Sequence, residues 1–99
     1  MSRIVVWTFT AQEDRKAIFL FWNQNNQSNT YSRKLNKLFQ EHLNLVCKNP
    51  FIGKRTSVIN VRAKIIKEYM LFYEITEKHI VVLSVWDCRQ NPIKQQIKF

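Results

Sequence analysis

The sequence has few of the residues from which phosphate loops, disulfide frameworks and metal sites are built. Its 99 residues include one glycine, two prolines and two cysteines. The one glycine, Gly53, cannot make a glycine-rich phosphate loop. Cys47 and Cys88 lie far apart in the chain, which fits neither a metal-ligand spacing nor a disulfide framework. We therefore expect each cysteine to be a small, partly buried apolar residue in a reducing compartment.

The two histidines are equally isolated. Neither His42 nor His79 has a cysteine or carboxylate at motif spacing, so the sequence supports no zinc site and no catalytic triad. His42 falls in an apolar helical stripe, and His79 begins a strand where an exposed side chain is expected. We expect no metal and no cofactor.

Long apolar runs are absent as well. No stretch approaches the ~20 residues of a membrane span, and the first residues lack the apolar centre of a signal peptide. These features favour a cytoplasmic protein without membrane contact.

Acidic residues are scarce and basic residues are not. Sixteen Lys and Arg oppose seven Asp and Glu, which gives a net charge of +9. Such a surplus is typical of proteins that meet polyanions; a basic surface that serves only solubility is the alternative. With 45% hydrophobic and 13% aromatic residues, the chain can build one core, so residues 1–99 are predicted to form a single domain.

The C-terminal half is predicted to form three antiparallel strands. They are a basic strand at Arg55–Arg62 and two apolar strands at Tyr69–Ile75 and His79–Trp86, rich in β-branched and aromatic residues. The polar residues 76–78 indicate a hairpin turn between the last two. A further strand, Arg3–Thr8, is expected to join the same sheet.

Two helices are predicted between these strands. Thr10 and Glu13 match a capping box, which starts a helix that runs to Trp22 and is apolar almost all round. We expect such a helix to be covered on more than one side. The polar stretch Asn23–Asn29 indicates a loop, and Thr30–Lys48 a second helix. Its apolar stripe consists of Leu35, Leu38, Phe39, His42 and Val46, with Leu43 beside them.

This order, β-α-α-β-β-β, predicts an α+β fold in which a helical hairpin packs on one face of a small, mainly antiparallel twisted sheet. The other sheet face is expected to meet solvent or a partner. The tail Ile93–Phe99 is too short to classify.

Alternation along the basic strand suggests a binding site. Ile59, Val61 and Ala63 share one face and are expected to meet the helices, so Arg62 and Lys64 would project from the open face. The basic residues expected at this site are Lys54, Arg55, Arg62, Lys64 and Arg89. Converging cations would bind phosphate or a carboxylate-rich partner.

A structural role is the alternative for each of these residues. Each is then a solvated charge, or Arg62 pairs with Glu68 or Glu74. For Lys64 we prefer the solvated charge, whereas for Arg62 and Arg89 we prefer binding.

The sequence resembles the RelE/ParE family of bacterial type II toxins over nearly its whole length. The resemblance includes Trp7-Thr8, the two helices, and Asn49-Pro50 followed by Gly53. Its most specific parts are Val61-Arg62, the strand at residues 69–75 and the run at residues 80–92.

The resemblance implies a growth-arresting toxin that an antitoxin neutralises, often an acidic and partly disordered protein that wraps the toxin. RelE-like members cleave messenger RNA on the ribosome with basic residues and often a tyrosine or histidine near the C-terminus. ParE-like members poison DNA gyrase and hydrolyse nothing themselves.

Residue by residue, the resemblance favours the ParE-like branch. Arg62 and Arg89 match positions where the family often has arginine, and they would be the catalytic residues of a nuclease. Met70, however, stands where many RelE-like members have a catalytic arginine, and the tail Ile93–Phe99 has no tyrosine or histidine. A gyrase inhibitor is therefore the first hypothesis, and a ribosome-dependent endoribonuclease is the second. A stand-alone basic nucleic-acid-binding module is the third.

Overall fold

Two helices and a five-stranded sheet make up residues 3–89, the part of the chain that the computed structural model describes. The elements are β1 (Ile4–Trp7), α1 (Phe9–Asn26), α2 (Thr30–Lys48), a 3-10 turn (Pro50–Ile52), β2 (Lys54–Arg55), β3 (Val61–Ile66), β4 (Tyr69–Ile75) and β5 (His79–Asp87). The predicted α+β order is confirmed, with the two-residue β2 added. The tail Ile93–Phe99 lies outside the described residues.

The sheet has the strand order β1-β5-β4-β3-β2. β1 runs parallel to β5, and the other neighbours are antiparallel, so the sheet is mainly antiparallel as predicted. A parallel pair needs a long crossover. Here β1 and β5 are separated in the chain by the helical hairpin and the three intervening strands, and β5 has β1 and β4 as its two neighbours.

The basic strand is the part of the sheet where the prediction was wrong. Residues 56–60, predicted to be in a strand, form a turn, and β3 begins only at Val61. The Thr56 hydroxyl donates to the Val61 carbonyl at 2.8 Å, and Asn60 has a φ of 64°. Such side-chain bonds compete with strand pairing, and Asn tolerates a positive φ. β4 has the predicted bounds, and β5 extends one residue further than predicted.

α1 differs from the predicted helix at both ends, whereas α2 matches its prediction. Thr8 caps α1, because its Oγ1 accepts a hydrogen bond from the Ala11 amide at 3.1 Å, so the predicted Thr10–Glu13 box is wrong. α1 also continues to Asn26, beyond the predicted end at Trp22. α2 has the predicted bounds.

The core lies between α2 and one face of β4 and β5. Leu35, Phe39 and Val46 of the predicted α2 stripe are fully buried there, against Leu71 of β4 and Val82 of β5. The stripe is therefore confirmed as the core-facing surface of the helix.

α1 adds mostly partly buried side chains to this core, among them Phe19 and Trp22. Ala11 is its one buried residue, whereas Leu20 is 57% exposed and Phe21 is 45% exposed. α1 packs against both β5 and α2, so the expectation that it is covered on more than one side is confirmed within residues 3–89. The apolar outer side of α1 is left uncovered there.

Candidate functional site

Arg62 and Lys64 lie on the sheet face opposite to the predicted one. In the β3–β4 ladder Arg62 pairs with Tyr73 and Lys64 pairs with Leu71. Directly paired residues share a face, and Tyr73 and Leu71 belong to the core under the helices. Both basic side chains therefore extend from the helix-covered face at its β3 side, which corrects our assignment of them to the open face.

The face was assigned wrongly because the other face of the sheet also carries an apolar layer. Ala63 pairs with Phe72 there, and Phe72 is only 1% exposed. Its ring meets Trp86 edge-on at 4.7 Å. Since both faces carry apolar residues with a period of two, alternation alone cannot identify the face that the helices cover.

Arg62 is held by two backbone carbonyls. Its Nη1 donates to Gly53 O at 2.9 Å and to Phe51 O at 3.2 Å, and its guanidinium lies 5.1 Å from the centre of the Phe51 ring. Neither predicted carboxylate, Glu68 or Glu74, binds it. The Arg62 charge is thus fixed in position, and no carboxylate within residues 3–89 neutralises it.

Tyr73 of β4 binds the same segment, residues 50–53, through its hydroxyl group. Its buried hydroxyl donates to Pro50 O at 2.7 Å and accepts from the Gly53 amide at 3.0 Å. A Cβ on Gly53 would lie 2.5 Å from Tyr73 Oη and 3.0 Å from Ala63 O. Burial raises the pKa of Tyr73, so its hydroxyl stays protonated at neutral pH. Residues 50–53 are therefore pinned to the sheet.

Arg89 has an acidic partner instead. Its Nε and Nη2 donate to the two carboxylate oxygens of Asp87 at 3.0 and 2.8 Å. The guanidinium lies 5.2 Å from the centre of the Trp22 ring and 6.0 Å from that of Tyr69. The Arg89 bonds lower the pKa of Asp87. This bidentate pair neutralises the Arg89 charge locally.

The aromatic side chains around Arg89 also bond one another or a carboxylate. Trp22 Nε1 donates to Tyr69 Oη at 2.6 Å, and Tyr31 Oη donates to Glu68 Oε1 at 2.8 Å. Burial, then Glu68, raises the pKa of Tyr31 to about 12. Tyr69 and Tyr73 are both buried, and the sequence did not reveal the bonds of their hydroxyls.

Arg62 and Arg89 are not brought together. Arg62 lies beside Tyr73 and Arg89 beside Tyr69, four residues apart on β4. At about 3.3 Å per residue that separation is roughly 13 Å. One phosphate or carboxylate cannot bridge the two guanidinium groups in these positions.

Three of the predicted basic residues do share a face. Arg55 pairs with Arg62 across β2 and β3, and Lys64 follows two positions later, whereas Lys54 pairs with Ala63 on the other face. Lys64 also acts on His42 of α2: burial and, second, this ammonium group lower the pKa of His42. The His42 Nδ1 atom is buried and has no hydrogen-bond partner in the described part of the chain.

Beside Arg55 and Arg62 lies an exposed apolar area that the sequence analysis missed. We call it the loop surface; it consists of Phe51, Ile52, Arg55, Val58, Ile59 and Arg62. Ile59 is 85% exposed and Phe51 is 64% exposed, and the area surrounds a pocket of about 160 Å³. Apolar residues within a Thr-Ser-Asn turn were the available signal, but the predicted strand obscured it.

A second concavity, of about 320 Å³, lies between α1 and the end of β5. Asp14, Phe21, Tyr69 and Asp87 are among the residues that line it. Asp14 accepts a hydrogen bond from the Val85 amide at 3.0 Å, and burial raises its pKa. Unlike the loop surface, this cleft is lined by carboxylates, one of which, Asp87, binds Arg89.

No cluster of three or more metal-ligating side chains occurs within residues 3–89. In the same part of the chain, neither helix combines the length and apolar content required to cross a membrane.

A family model for the ParE toxin of the type II toxin-antitoxin system parDE matches residues 5–92. The chain belongs to this toxin family. It is therefore the toxin of a type II toxin–antitoxin system, and the antitoxin is its partner. This agrees with the RelE/ParE resemblance of the sequence.

Solved structures show the same fold. The chromosomal ParDE system of P. aeruginosa is 18% identical, with 85% of this chain and 94% of that chain covered and a TM-score of 0.70. The RelBE2 toxin–antitoxin complex of Mycobacterium tuberculosis is 20% identical, with 86% and 96% covered and a TM-score of 0.61. No curated protein is similar enough to count as a match.

Proposed function

We propose that this toxin arrests growth by binding and inhibiting DNA gyrase, without hydrolysing nucleic acid, and that an acidic antitoxin neutralises it. The observation that carries the proposal is the separation of Arg62 from Arg89, each of which already has partners in the fold. The match of the ParE toxin model to residues 5–92 supports it.

Cleavage of RNA through a 2′-hydroxyl makes stricter demands. It needs a base, an acid and cations around one phosphate. The Arg89 fork is taken by Asp87, and the Tyr73 hydroxyl is buried under residues 50–53. Met70, at the position where nucleases of this family often have arginine, pairs with Ile65 and Trp86 on the opposite face. The described residues thus support binding better than catalysis.

One observation favours the endoribonuclease alternative. His42 lies close enough to Lys64 for that charge to lower its pKa, and a neutral imidazole beside an ammonium group can act as a base next to a phosphate. His42→Gln tests this alternative. Unchanged toxicity of that variant would remove the imidazole from the mechanism.

Two assays with the purified toxin test the proposal. Gyrase with plasmid DNA should lose supercoiling activity or accumulate cleaved plasmid when the toxin is added, and translating ribosomes should show no cuts in the message. Codon-positioned cuts with normal gyrase activity would overturn the proposal in favour of the nuclease.

The antitoxin half of the proposal rests on charge. A protein with a net charge of +9 attracts an acidic partner, and salt weakens such an attraction. The reading frame adjacent to the toxin should encode a small acidic protein whose co-expression restores growth. An antitoxin with a net positive charge would contradict this half alone.

A further inference from the structure

We propose that the loop surface is the part of the toxin that contacts its protein target, with an apolar side chain of the target in the pocket and a target carboxylate on Arg55 and Arg62. This inference rests on the proposed function, because it takes gyrase as the target, and it adds the surface and the chemistry of the contact.

The exposed apolar side chains are the first argument. Ile59 is 85% exposed, Phe51 is 64% exposed, and Val58 and Ile52 are each 39% exposed, all within nine residues of chain. Contiguous exposed apolar groups on a small protein mark an interaction site. The pocket lined by Phe51, Val58 and Ile59, about 160 Å³, is smaller than the 300–1,000 Å³ of typical small-molecule sites. It suits one side chain of a protein.

The rigidity of the surface is the second argument. The Thr56 hydroxyl donates to the carbonyl of Val61, the Val61 amide donates to Val58 O at 3.2 Å, and the Ile75 amide donates to Asn60 O at 2.8 Å. Arg62 fixes Phe51 and Gly53 from the other side. A surface that is ordered before binding loses little entropy in the complex.

Charge identifies the chemistry of the occupant. Arg55 and Arg62 line the pocket, and none of its lining residues is acidic. The two Arg62 carbonyl bonds use Nη1 alone, so its Nε and Nη2 have no hydrogen-bond partner in the described part of the chain. Arginine beside an aromatic ring is enriched at interface hot spots. A target segment with a carboxylate next to an apolar side chain would bind the free guanidinium atoms and fill the apolar pocket.

A protein fits this surface better than a nucleic acid does. Stacked bases require aromatic or guanidinium faces, but three of the four exposed apolar residues are the aliphatic Ile52, Val58 and Ile59. Burying these aliphatic side chains against apolar side chains of a protein partner stabilises the complex.

A folded target also fits better than the antitoxin. A partly disordered segment that folds on binding covers a long groove or wraps a large surface. The loop surface is instead short, preformed and strongly exposed, with a pocket for one side chain. The exposed apolar side of α1, with Leu20 and Phe21, offers a longer surface for such a segment.

Binding of purified gyrase to immobilised toxin tests the inference. Ile59→Asp and Arg55→Glu should each weaken gyrase binding by about tenfold or more. The matched controls Leu20→Asp on α1 and Lys37→Glu on α2 make the same chemical changes at exposed positions elsewhere and should change it less than about threefold. Thermal denaturation checks that each variant is folded; if Ile59→Asp is not, Arg55→Glu decides.

Each outcome has one meaning. If wild-type toxin does not bind gyrase, the proposed function fails and the inference fails with it. If wild-type toxin binds and the loop variants bind equally well, only the inference is overturned. Loop variants that lose the antitoxin or an RNA oligonucleotide while they retain gyrase would overturn it too, because the occupant would then be the antitoxin or RNA.

Discussion

Arg62 and Arg89 have similar aromatic surroundings and opposite electrostatic ones. Arg62 is bound by the neutral carbonyls of Phe51 and Gly53, whereas Arg89 makes two bonds to the carboxylate of Asp87. The first arrangement positions a positive charge and keeps it, and the second cancels it. An arginine that the fold positions through neutral carbonyls thus remains available to an anionic partner, whereas one bound to a carboxylate is already paired.

The residues around Arg62 and around Arg89 differ in the same way. The Arg62 region contains Arg55 and the exposed Phe51 and Ile59. The Arg89 region contains Asp87 and Tyr69 together with the partly buried Asp14. Within residues 3–89 the fold therefore leaves the Arg62 charge without a carboxylate partner and pairs the Arg89 charge with Asp87.

Gly53→Ala should have the largest effect on the Arg62 region. Its Cβ would meet Tyr73 Oη at 2.5 Å and the Ala63 carbonyl at 3.0 Å, so residues 50–53 would have to move. We expect a loss of about 3 kcal/mol in the free energy of unfolding, measured by urea denaturation. Ser57→Ala, exposed on the nearby turn, should change it by less than about 0.5 kcal/mol. Equal stabilities of the two variants would show that the turn is not pinned.

Tyr73→Phe should follow, at about 2 kcal/mol, because it leaves the buried Gly53 amide and Pro50 carbonyl without their partner. Tyr69→Phe removes one bond, from Trp22 Nε1, at the Arg89 region and should cost about 1 kcal/mol. The same urea denaturation measures both. A larger loss for Tyr69→Phe would reverse the contrast between the regions.

Arg62→Ala removes two charge-assisted bonds and should cost about 1.5 kcal/mol while the protein remains folded. It should also relieve growth arrest, since the charge that we propose binds a target carboxylate is lost. Arg62→Lys keeps the charge without the planar fork and should retain part of the toxicity. The check is colony formation after induction, together with circular dichroism. An unfolded Arg62→Ala protein would show that the side chain is required for folding.

Asp87→Asn should have the smallest effect, about 0.5 kcal/mol at pH 7, because its partner Arg89 is 45% exposed and solvent screens the pair. Folding lowers the pKa of Asp87 below its ordinary 3.8. The pair therefore stabilises the protein above pH 3.8, and this stability is lost as the pH falls through the lower folded value. Urea denaturation from pH 7 to 2.5 should show the wild type and Asp87→Asn converging. A constant difference would contradict the ion pair.

The sequence analysis was most accurate where the pattern is local. The Leu35, Phe39 and Val46 stripe defined α2, and the β-branched and aromatic runs defined β4 and β5. It was least accurate at residues 55–62, where Thr56 and Asn60 end the strand through side-chain bonds and a positive φ. A strand propensity summed over a window does not detect such turns.

The candidate site was predicted only in part. Arg62 and Lys64 share a face as alternation requires, whereas Arg55 joins them only because it pairs with Arg62 across β2 and β3, and Arg89 does not join them. The exposed Ile59 was missed because it was assigned to a strand side under the helices. The binding roles of these residues remain predictions for the assays above.

Composition and short-range periodicity were enough to predict the charge and the order of the helices and main strands. The sheet face that the helices cover, and whether a carbonyl or a carboxylate binds each arginine, depend on contacts between residues distant in the chain. The reason is that both faces of the sheet are apolar and that the turn which positions Arg62 is fixed by Tyr73, twenty residues after Gly53 in the chain.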